Sequence, residues 1–355
     1  MKIQAIIPAA GLGSRLGNLT KDIPKCMIEV NGQTLISRQL EIIEDLNFSR
    51  IIIITGHKAD LLKKHIKSLK LKTEVIFLHN KNYAQTNNIV SVSLASNFMQ
   101  QCDSVLIESD LIFEPRLLQN LLNSRANKVV VSEYQNYMDG TTVIFKNGKI
   151  EFGNFTTENS NQIFKTVNIY YFTNSFVKQV YGPLLKIYLD QGLADSYYET
   201  PLSLVGNINI GLIEPMVTTD KWYEIDDVND LDIASVLFSE NELETVHSRY
   251  GGFWRFPEKK DFTFLSNPYF PTKELMKEIE VELPNLIHHY PSNRSVNRAL
   301  LAALLNIDEN YVLPLNGAAE IIPDFLNSFD RQFILNDTFR EYENRAKNVK
   351  IISDL

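Results

Sequence analysis

Cysteines, basic tracts and long apolar runs are all scarce in this sequence of 355 residues. Its two cysteines, Cys26 and Cys102, form no CxxC pair, which argues against a disulfide framework and against a structural zinc site. No apolar run approaches the roughly 18–20 residues of a membrane span. The first residues also lack the pattern of a signal peptide. We therefore expect a soluble cytoplasmic protein without a membrane partner.

Positive charge is also in short supply. The chain has 35 Lys and Arg against 43 Asp and Glu, which gives a formal net charge of −8 at pH 7. Proteins that bind nucleic acid by releasing counterions need clustered cations, so we expect no nucleic-acid partner. A bound divalent cation would fit the acidic balance better, although net charge alone does not show one.

The first half of the chain alternates strand and helix patterns. Helical spacing of apolar residues predicts helices at 35–46 and 61–69, and apolar runs predict strands at 3–8, 51–54, 74–78 and 104–108. Short alternating segments between Val129 and Phe172 predict additional antiparallel strands. The fold class predicted is therefore α/β, with a Rossmann-like, mixed, mostly parallel sheet. Ligands bind at the carboxyl ends of the strands in such sheets, so the loops there are the first places to search.

A glycine-containing loop follows the first predicted strand. Its sequence at 8–16 is Pro-Ala-Ala-Gly-Leu-Gly-Ser-Arg-Leu, and the small side chains let backbone N–H groups approach an anion. Arg15 adds a guanidinium for phosphate, and Lys25 follows Pro24 ten residues later. The third glycine of a dinucleotide-binding motif would fall at Leu16, and no Gly-Lys-Ser/Thr follows, so the loop matches neither that motif nor a P-loop.

Four further motifs follow along the chain: Tyr83-Ala84-Gln85-Thr86-Asn87-Asn88, Glu108-Ser109-Asp110, Asp195-Ser196-Tyr197-Tyr198-Glu199 and Tyr223-Glu224-Ile225-Asp226. Together with the glycine loop, this set resembles the signature of nucleotidyltransferases that join an NTP to a phosphorylated acceptor. Within that superfamily it is most similar to the phosphocholine cytidylyltransferases and their phosphonate-specific relatives. The resemblance covers residues 1–238 and implies a sheet of the nucleotidyltransferase type, with CTP as the nucleotide. Pro8 stands where the family usually has leucine.

The resemblance also implies a role for each motif. The nucleotide would be bound by Ala9, Ala10, Gly11, Leu12, Gly13, Ser14, Tyr83, Asn87 and Asn88. Lys25 and Arg15 would be the catalytic cations that hold the phosphates. Asp110 and Asp226 would bind Mg²⁺, with Glu224 as a further ligand or a support.

Two of these carboxylates have structural alternatives. Asp226 precedes a predicted helix, and a carboxylate in that position also serves as a helix N-cap. Asp110 follows a predicted strand and could simply be a turn residue. If the chain is extended from Glu224 to Asp226, both side chains point to the same side.

Residues 195–199 combine carboxylates with aromatic rings, which suits a small cationic group. The predicted acceptor-binding residues are Asp195, Tyr197, Tyr198 and Glu199. A primary ammonium can donate hydrogen bonds to these carboxylates, whereas a trimethylammonium cannot. The residues therefore favour 2-aminoethylphosphonate or phosphoethanolamine over phosphocholine. The alternative is that the segment begins a helix and packs its rings in the core.

The last third of the chain carries a second set of motifs: Tyr250-Gly251-Gly252, Ser266-Asn267-Pro268, Tyr290-Pro291, Asn316-Gly317-Ala318-Ala319-Glu320 and Thr338-Phe339-Arg340-Glu341-Tyr342. They resemble the start of a PLP-dependent fold-type I enzyme of the histidinol-phosphate aminotransferase and threonine-phosphate decarboxylase group. The resemblance implies that Gly317 and Ala318 would contact the PLP phosphate and that Phe339 would stack on its ring. In that family the PLP lysine comes much later, so we expect a partial fold-type I segment. PLP would be a cofactor only of a complete module.

These patterns predict a nucleotidyltransferase domain at 1–238, a linker at 239–249 and an incomplete aminotransferase-like segment at 250–355. The main hypothesis is Mg²⁺-dependent transfer of a cytidylyl group from CTP to a small amino-phosphate or amino-phosphonate. Three alternatives stay open: a sugar-1-phosphate nucleotidyltransferase, a nucleotide-binding regulatory module without catalysis, and a PLP-dependent aminotransferase or decarboxylase in a full-length fusion. The sequence leaves the oligomeric state open, a homodimer included.

Overall fold

A computed structural model describes the chain at residues 2–135, 138–146, 149–156, 162–208, 213–249, 251–256, 259–262, 266–336, 338–347 and 349–353. The chain forms two compact units, Met1–Phe264 and Leu265–Leu355. Within the described residues, no helix is both long and apolar enough to cross a lipid bilayer.

The first unit alternates strands and helices over its N-terminal half. Its strands are β1 (Ile3–Ala9), β2 (Glu29–Val30), β3 (Gln33–Thr34), β4 (Arg50–Thr55), β5 (Val75–His79), β6 (Asp103–Ile107), β7 (Leu111–Phe113), β8 (Lys128–Glu133), β9 (Thr142–Lys146), β10 (Lys149–Gly153), β11 (Ile163–Phe172), β12 (Glu214–Val217) and β13 (Trp222–Glu224). Its α-helices are α1 (Leu35–Asp45), α2 (Ala59–Ser68), α3 (Asn88–Leu94), α4 (Ser96–Met99), α5 (Pro115–Ser124), α6 (Asn174–Phe176), α7 (Gly182–Asp190), α8 (Thr200–Ile208), α9 (Val228–Leu237) and α10 (Glu242–His247).

One mixed sheet organises this unit. Among the described residues its main path runs β10-β9-β11-β6-β1-β4-β5, with β8 paired to both β11 and β12. Strands β6, β1, β4 and β5 are mutually parallel, whereas β11 runs antiparallel to β6, β8 and β9. The predicted α/β fold, with a parallel centre and antiparallel additions, is confirmed. The parallel strands end at one edge of the sheet, and the loops that follow them meet there.

The β-branched run at 51–54 forms β4, a strand that is buried on both faces of the sheet. All four isoleucines are completely buried, because β4 lies between β1 and β5 and both of its faces are covered. Ile51 and Ile53 belong to the apolar core on one face, and Ile52 and Ile54 belong to the core on the other. Helix α1 packs on the first of these faces, and the Thr34 hydroxyl caps it by accepting the backbone N–H of Ser37 at 3.2 Å.

Two regions of this unit differ in detail from the sequence pattern. The helical stretch at 174–190 is not a single α-helix, because a π-helical turn, Val177–Tyr181, joins α6 to α7. The segment expected to be a linker at 239–249 contains α10, whose Val246 packs with Ile233 and Val236 of α9. The compact unit thus continues past the predicted boundary at 238, and the functional division of the chain stays a prediction.

The second unit contains four described α-helices and one pair of strands. The helices are α11 (Lys273–His288), α12 (Arg294–Leu305), α13 (Ile322–Asn327) and α14 (Arg340–Arg345), and the strands β14 (Gln332–Leu335) and β15 (Val349–Ile352) pair in parallel. None of the strands predicted from the sequence lies in this unit, so this pair was not anticipated. The residue Tyr250 of the PLP-like motifs lies outside the described residues.

Gly56 fixes the contact between the loops that follow β1 and β4. A Cβ atom at this position would lie 2.5 Å from the carbonyl oxygen of Ala10 and 2.8 Å from Cβ of Tyr83. The next residue, His57, donates its backbone N–H to the same Ala10 oxygen at 3.1 Å. Only glycine leaves room for this close approach.

We predict that Gly56→Ala lowers the free energy of unfolding by about 1–3 kcal/mol, because the added methyl forces two backbones apart. Gly11→Ala is the matched control, since a Cβ at Gly11 would meet no atom within 4 Å. Urea denaturation of both variants measures the difference. Equal midpoints for the two variants would contradict the packing argument.

Candidate active site

The site forms where the loops after β1 and β6 meet β13. Strand β13 pairs antiparallel with β7, which places Glu224 opposite Leu111. Beyond the paired residues, the N–H of Ile225 donates to the carbonyl oxygen of Asp110 at 3.1 Å. Since Asp110 directly precedes β7, this pairing brings acidic residues from two distant stretches of the chain to the same place.

The acidic side chains gathered here form what we call the carboxylate cluster: Glu108, Asp110, Glu224 and Asp226. Ligand oxygens of the first three lie within 4.8 Å of one another. Nζ of Lys25 lies 2.6 Å from Oδ2 of Asp110 and 2.6 Å from Oδ1 of Asp226. Nη2 of Arg15 lies 2.8 Å from the same Asp226 oxygen. The predicted cations and carboxylates are therefore in direct contact.

Burial and mutual repulsion shift the proton affinities in the cluster. Burial raises the pKa of Glu108 well above its ordinary value, and the neighbouring charges of Asp110 and Glu224 raise it further. Burial also raises the pKa of Glu224 to about 7, although Lys165 opposes that shift. Burial disfavours the charged form of Asp226 as well, but Lys25 and Arg15 outweigh it and lower the pKa of Asp226.

Lys25 is the cation that Asp110 and Asp226 share. Burial alone would lower the pKa of its ammonium, but attraction to Asp110 and Asp226 raises it above the ordinary value. The side chain of Lys25 is 15% exposed, so water screens the pair only in part. The ammonium thus stays charged at neutral pH.

The donor set suits a hard divalent cation such as Mg²⁺, which prefers carboxylate oxygens. Within the described part of the chain, Oδ1 of Asp110 is buried and has no hydrogen-bond partner. The residues whose oxygens converge are Glu108, Asp110 and Glu224. The sequence had named Asp226 in place of Glu108; in the structure Asp226 joins the cluster through Lys25.

The helix-cap alternative for Asp226 is wrong. Asp227 is the N-cap of α9, and its carboxylate accepts the backbone N–H groups of Asn229 and Asp230. Asp230 completes a capping box by accepting the N–H of Asp227 at 3.0 Å. The side chain of Asp226 is thereby left to face Lys25.

The glycine loop and the predicted base-binding residues line one cleft with the cluster. This cleft has a volume of about 960 Å³ and is lined by Ala9, Ala10, Gly11, Gly13, Ser14, Arg15, Lys25, Tyr83, Asn87, Asn88, Glu108, Asp110, Glu224 and Asp226, among others. Gly13 has a left-handed backbone with φ of 66° and packs against Lys25, whose Cβ would lie 3.1 Å from a Cβ on the glycine. Leu12 is 42% exposed and does not line the cleft.

The predicted acceptor segment divides between cleft, surface and core. Tyr197 and Glu199 line the cleft. Glu199 is buried and accepts hydrogen bonds from the Tyr170 hydroxyl at 2.7 Å and the Thr141 hydroxyl at 3.0 Å. Burial raises the pKa of Glu199, and these hydrogen bonds oppose the shift.

Two of the predicted acceptor residues do not line the cleft. Tyr198 is completely buried, and its ring meets that of Tyr170 edge-on at 5.7 Å, so for this residue the core alternative holds. Asp195 is exposed, and its backbone carbonyl accepts from the Asn87 side chain at 3.3 Å.

Three residues of the site were missed in the sequence. Lys165 is almost completely buried, with Nζ 3.3 Å from Oε2 of Glu224. Asn168 donates to the other oxygen of Glu224 at 3.1 Å. Gln39 holds the loop after β6 by donating to the carbonyl oxygens of Glu108 and Leu111 at 2.9 and 2.8 Å. The available signal was a polar side chain within an otherwise apolar strand or helix face.

The residues predicted to contact PLP lie in the second unit. Gly317, with φ of 86°, precedes a three-residue 3₁₀ turn, Ala318–Glu320. Phe339 is 53% exposed and meets the ring of Tyr342 edge-on. The Glu320 carboxylate accepts the backbone N–H of Asn316 at 2.7 Å.

Comparison with known proteins finds relatives among the cytidylyltransferases. The CMP-5'-(3-aminopropyl)phosphonate synthase of Streptomyces rubellomurinus is 27% identical over 96% of this chain and 56% of that protein. The 2-aminoethylphosphonate cytidylyltransferase of Lancefieldella rimae is 34% identical over 32% of this chain and 48% of its own length. The chain spans about half the length of the curated relatives it matches.

Among solved structures, the CTP:phosphocholine cytidylyltransferase of Streptococcus pneumoniae superposes with a TM-score of 0.56. It is 21% identical and covers 67% of this chain and all of its own, which supports a shared fold. The model of the MobA-like NTP transferase domain matches residues 5–199, more than half of the chain. Because the match covers more than half of its residues, the chain belongs to the MobA-like NTP transferase family, and the predicted nucleotidyltransferase assignment is confirmed.

Proposed function

We propose that this chain transfers a cytidylyl group from CTP to a small primary amine that carries a phosphate or phosphonate, with release of pyrophosphate. The observation that carries the proposal is Lys25 between Asp110 and Asp226, at 2.6 Å from each, beside a glycine loop in a cleft large enough for a nucleotide. Cations and carboxylates in contact are what a site needs to bind anionic phosphates together with a divalent cation. The names of the relatives support CTP and an amino-phosphonate acceptor.

The reaction joins two anions, so its main obstacle is charge repulsion. A phosphonate or phosphate oxygen of the acceptor attacks the α-phosphorus of CTP in line. A new P–O bond forms, the bond from the α-phosphorus to the bridging oxygen breaks, and pyrophosphate leaves with that electron pair. The acceptor oxygen is already ionised at neutral pH, so the step needs no general base. Catalysis rests on positioning and on neutralising charge.

Each residue group has a place in this scheme. The backbone N–H groups of the glycine loop and the guanidinium of Arg15 bind the triphosphate. Lys25 exchanges a carboxylate partner for a phosphate oxygen when the nucleotide arrives. Glu108, Asp110 and Glu224 would hold Mg²⁺, which when bound supplies the positive charge that offsets repulsion between the two phosphates.

The acceptor amine is assigned to the acidic end of the cleft. Tyr197 offers an aromatic face there, and Glu199 offers a buried carboxylate. A primary ammonium suits Glu199 because it can donate to an oxygen that also accepts from Tyr170. The PLP resemblance of residues 250–355 has no part in this reaction and stays a prediction.

The direct test is a screen for pyrophosphate release. Four NTPs are crossed with phosphocholine, phosphoethanolamine, 2-aminoethylphosphonate and glucose-1-phosphate, with and without Mg²⁺. We expect release with CTP and the primary amines, and its loss when EDTA removes the metal. Release with glucose-1-phosphate alone would favour the sugar-phosphate alternative, and no release with any pair would overturn the proposal.

The same assay distinguishes the site from the rest of the chain. Lys25→Ala and Asp110→Ala should each lower turnover by about 10²–10³-fold. The first removes the ammonium that neutralises a phosphate, and the second removes a ligand that would hold Mg²⁺ there. Lys64→Ala, at an exposed lysine of α2, is the control and should keep wild-type turnover.

The shared ammonium also has a consequence for stability. Lys25→Met keeps the length of the side chain but leaves Asp110 and Asp226 without their cation, so we predict a loss of about 3 kcal/mol in the free energy of unfolding. Mg²⁺ should restore part of this loss, because binding to the folded cluster stabilises the native state. Denaturant titrations with and without MgCl₂ measure both effects.

Lys128→Met provides the comparison for that experiment. Lys128 pairs with a largely exposed carboxylate, Glu214, at 2.5 Å, and loss of such a pair costs less than about 1 kcal/mol. A Lys25→Met protein as stable as the wild type, with no added response to Mg²⁺, would mean that the cluster is not held together by charge.

A further inference from the structure

Strand β11 is irregular where it passes the carboxylate cluster. Thr166 pairs with Val131 and Tyr170 with Val129, so four steps along β11 match two steps along β8. Within this bulge Asn168 has a left-handed backbone with φ of 59°. Asparagine tolerates that conformation better than most residues, but it still carries a conformational cost. Bulges of this kind often redirect a side chain toward a site.

Asn168 contacts both of the segments that supply the cluster. Its carbonyl oxygen accepts the backbone N–H of Glu108 at 3.2 Å. Its side-chain amide donates to Oε1 of Glu224 at 3.1 Å, and its Oδ1 accepts the Thr166 hydroxyl at 2.8 Å. The residue is 6% exposed, so water competes little for these hydrogen bonds. The bulge thereby connects the end of β6 with the end of β13.

We propose that Asn168 is a positioning residue that orients the Glu224 carboxylate for the divalent cation, an inference that rests on the proposed function. The amide fixes one oxygen of Glu224 while the ammonium of Lys165 lies 3.3 Å from the other. Both oxygens therefore have a partner before any cation arrives. Hydrogen bonds that orient a ligating carboxylate typically contribute a factor of 10–100 in metal affinity.

The chemistry of the amide suits this position among several carboxylates. The amide donates a hydrogen bond and is neutral. An aspartate in its place would add negative charge, and a lysine or arginine would add positive charge that repels a cation. If Asn168 served only to form the bulge, glycine would do equally well, because glycine adopts positive φ at no steric cost. Substitution by glycine therefore separates the role of the side chain from the role of the backbone.

The test measures Mn²⁺ binding by electron paramagnetic resonance in the purified full chain, without nucleotide. Asn168→Gly keeps the left-handed backbone and the carbonyl that accepts from Glu108, and it should weaken Mn²⁺ binding by about 10-fold. Asn168→Asp has the same shape but loses the donor and should weaken binding at least as much. The melting temperature and the KM for CTP should stay close to the wild-type values while the Mn²⁺ affinity falls. A merely structural role would instead lower the melting temperature together with the metal affinity.

Asn47→Gly is the matched control, because Asn47 is also an asparagine at positive φ, of 56°, but is exposed and does not line the cleft. It should bind Mn²⁺ as the wild type does. Affinity of Asn168→Gly within twofold of the wild type would overturn the assignment of Asn168 alone. A wild-type chain that binds Mn²⁺ but never releases pyrophosphate would overturn the proposed function alone. One that binds no Mn²⁺ would overturn both.

Discussion

Repulsion between carboxylates is the constraint on which this site depends. Asp110 and Asp226 share the ammonium of Lys25, Glu224 lies beside that of Lys165, and burial raises the pKa values of Glu108 and Glu224. Without a bound cation, a cluster of this kind raises the free energy of the folded chain, because like charges are held together at low dielectric. It becomes favourable when further positive charge enters. The folded chain thus already has an electrostatic environment that suits a divalent cation.

Apart from Lys165, whose ammonium lies 3.3 Å from Glu224, neutral groups hold this charged arrangement in place. Pairing of β13 with β7 brings Asp226 to Asp110, Gln39 holds the loop after β6, and the bulge at Asn168 connects both segments. None of these supports adds a charge. They fix where the carboxylates stand while leaving their charge available to a ligand, which is the condition for electrostatic preorganisation.

Much of the fold could be predicted from sequence because its signals are local. The isoleucine run at 51–54 indicates a strand covered on both faces, and a residue that follows a parallel strand, such as Asp110, is expected at the ligand-binding edge. Asp226 was harder, because its place depends on an antiparallel pairing with a strand more than a hundred residues away. Asp227 rather than Asp226 caps the following helix, a one-residue difference that sequence spacing does not resolve.

The remaining parts of the site depend on packing that no local pattern encodes. Tyr198 resembles a pocket residue in sequence, yet its neighbours Tyr170 and Tyr181 enclose it in the core. Asn168 reaches Glu224 only because the strand bulges. The central claim is that the carboxylate cluster and Lys25 receive the metal and the triphosphate together. Anomalous diffraction from crystals grown with CTP and Mn²⁺ tests it most directly. The account predicts one manganese peak bound by Asp110, with the Lys25 ammonium on a phosphate oxygen; a peak elsewhere, with Lys25 still between its two aspartates, would contradict it.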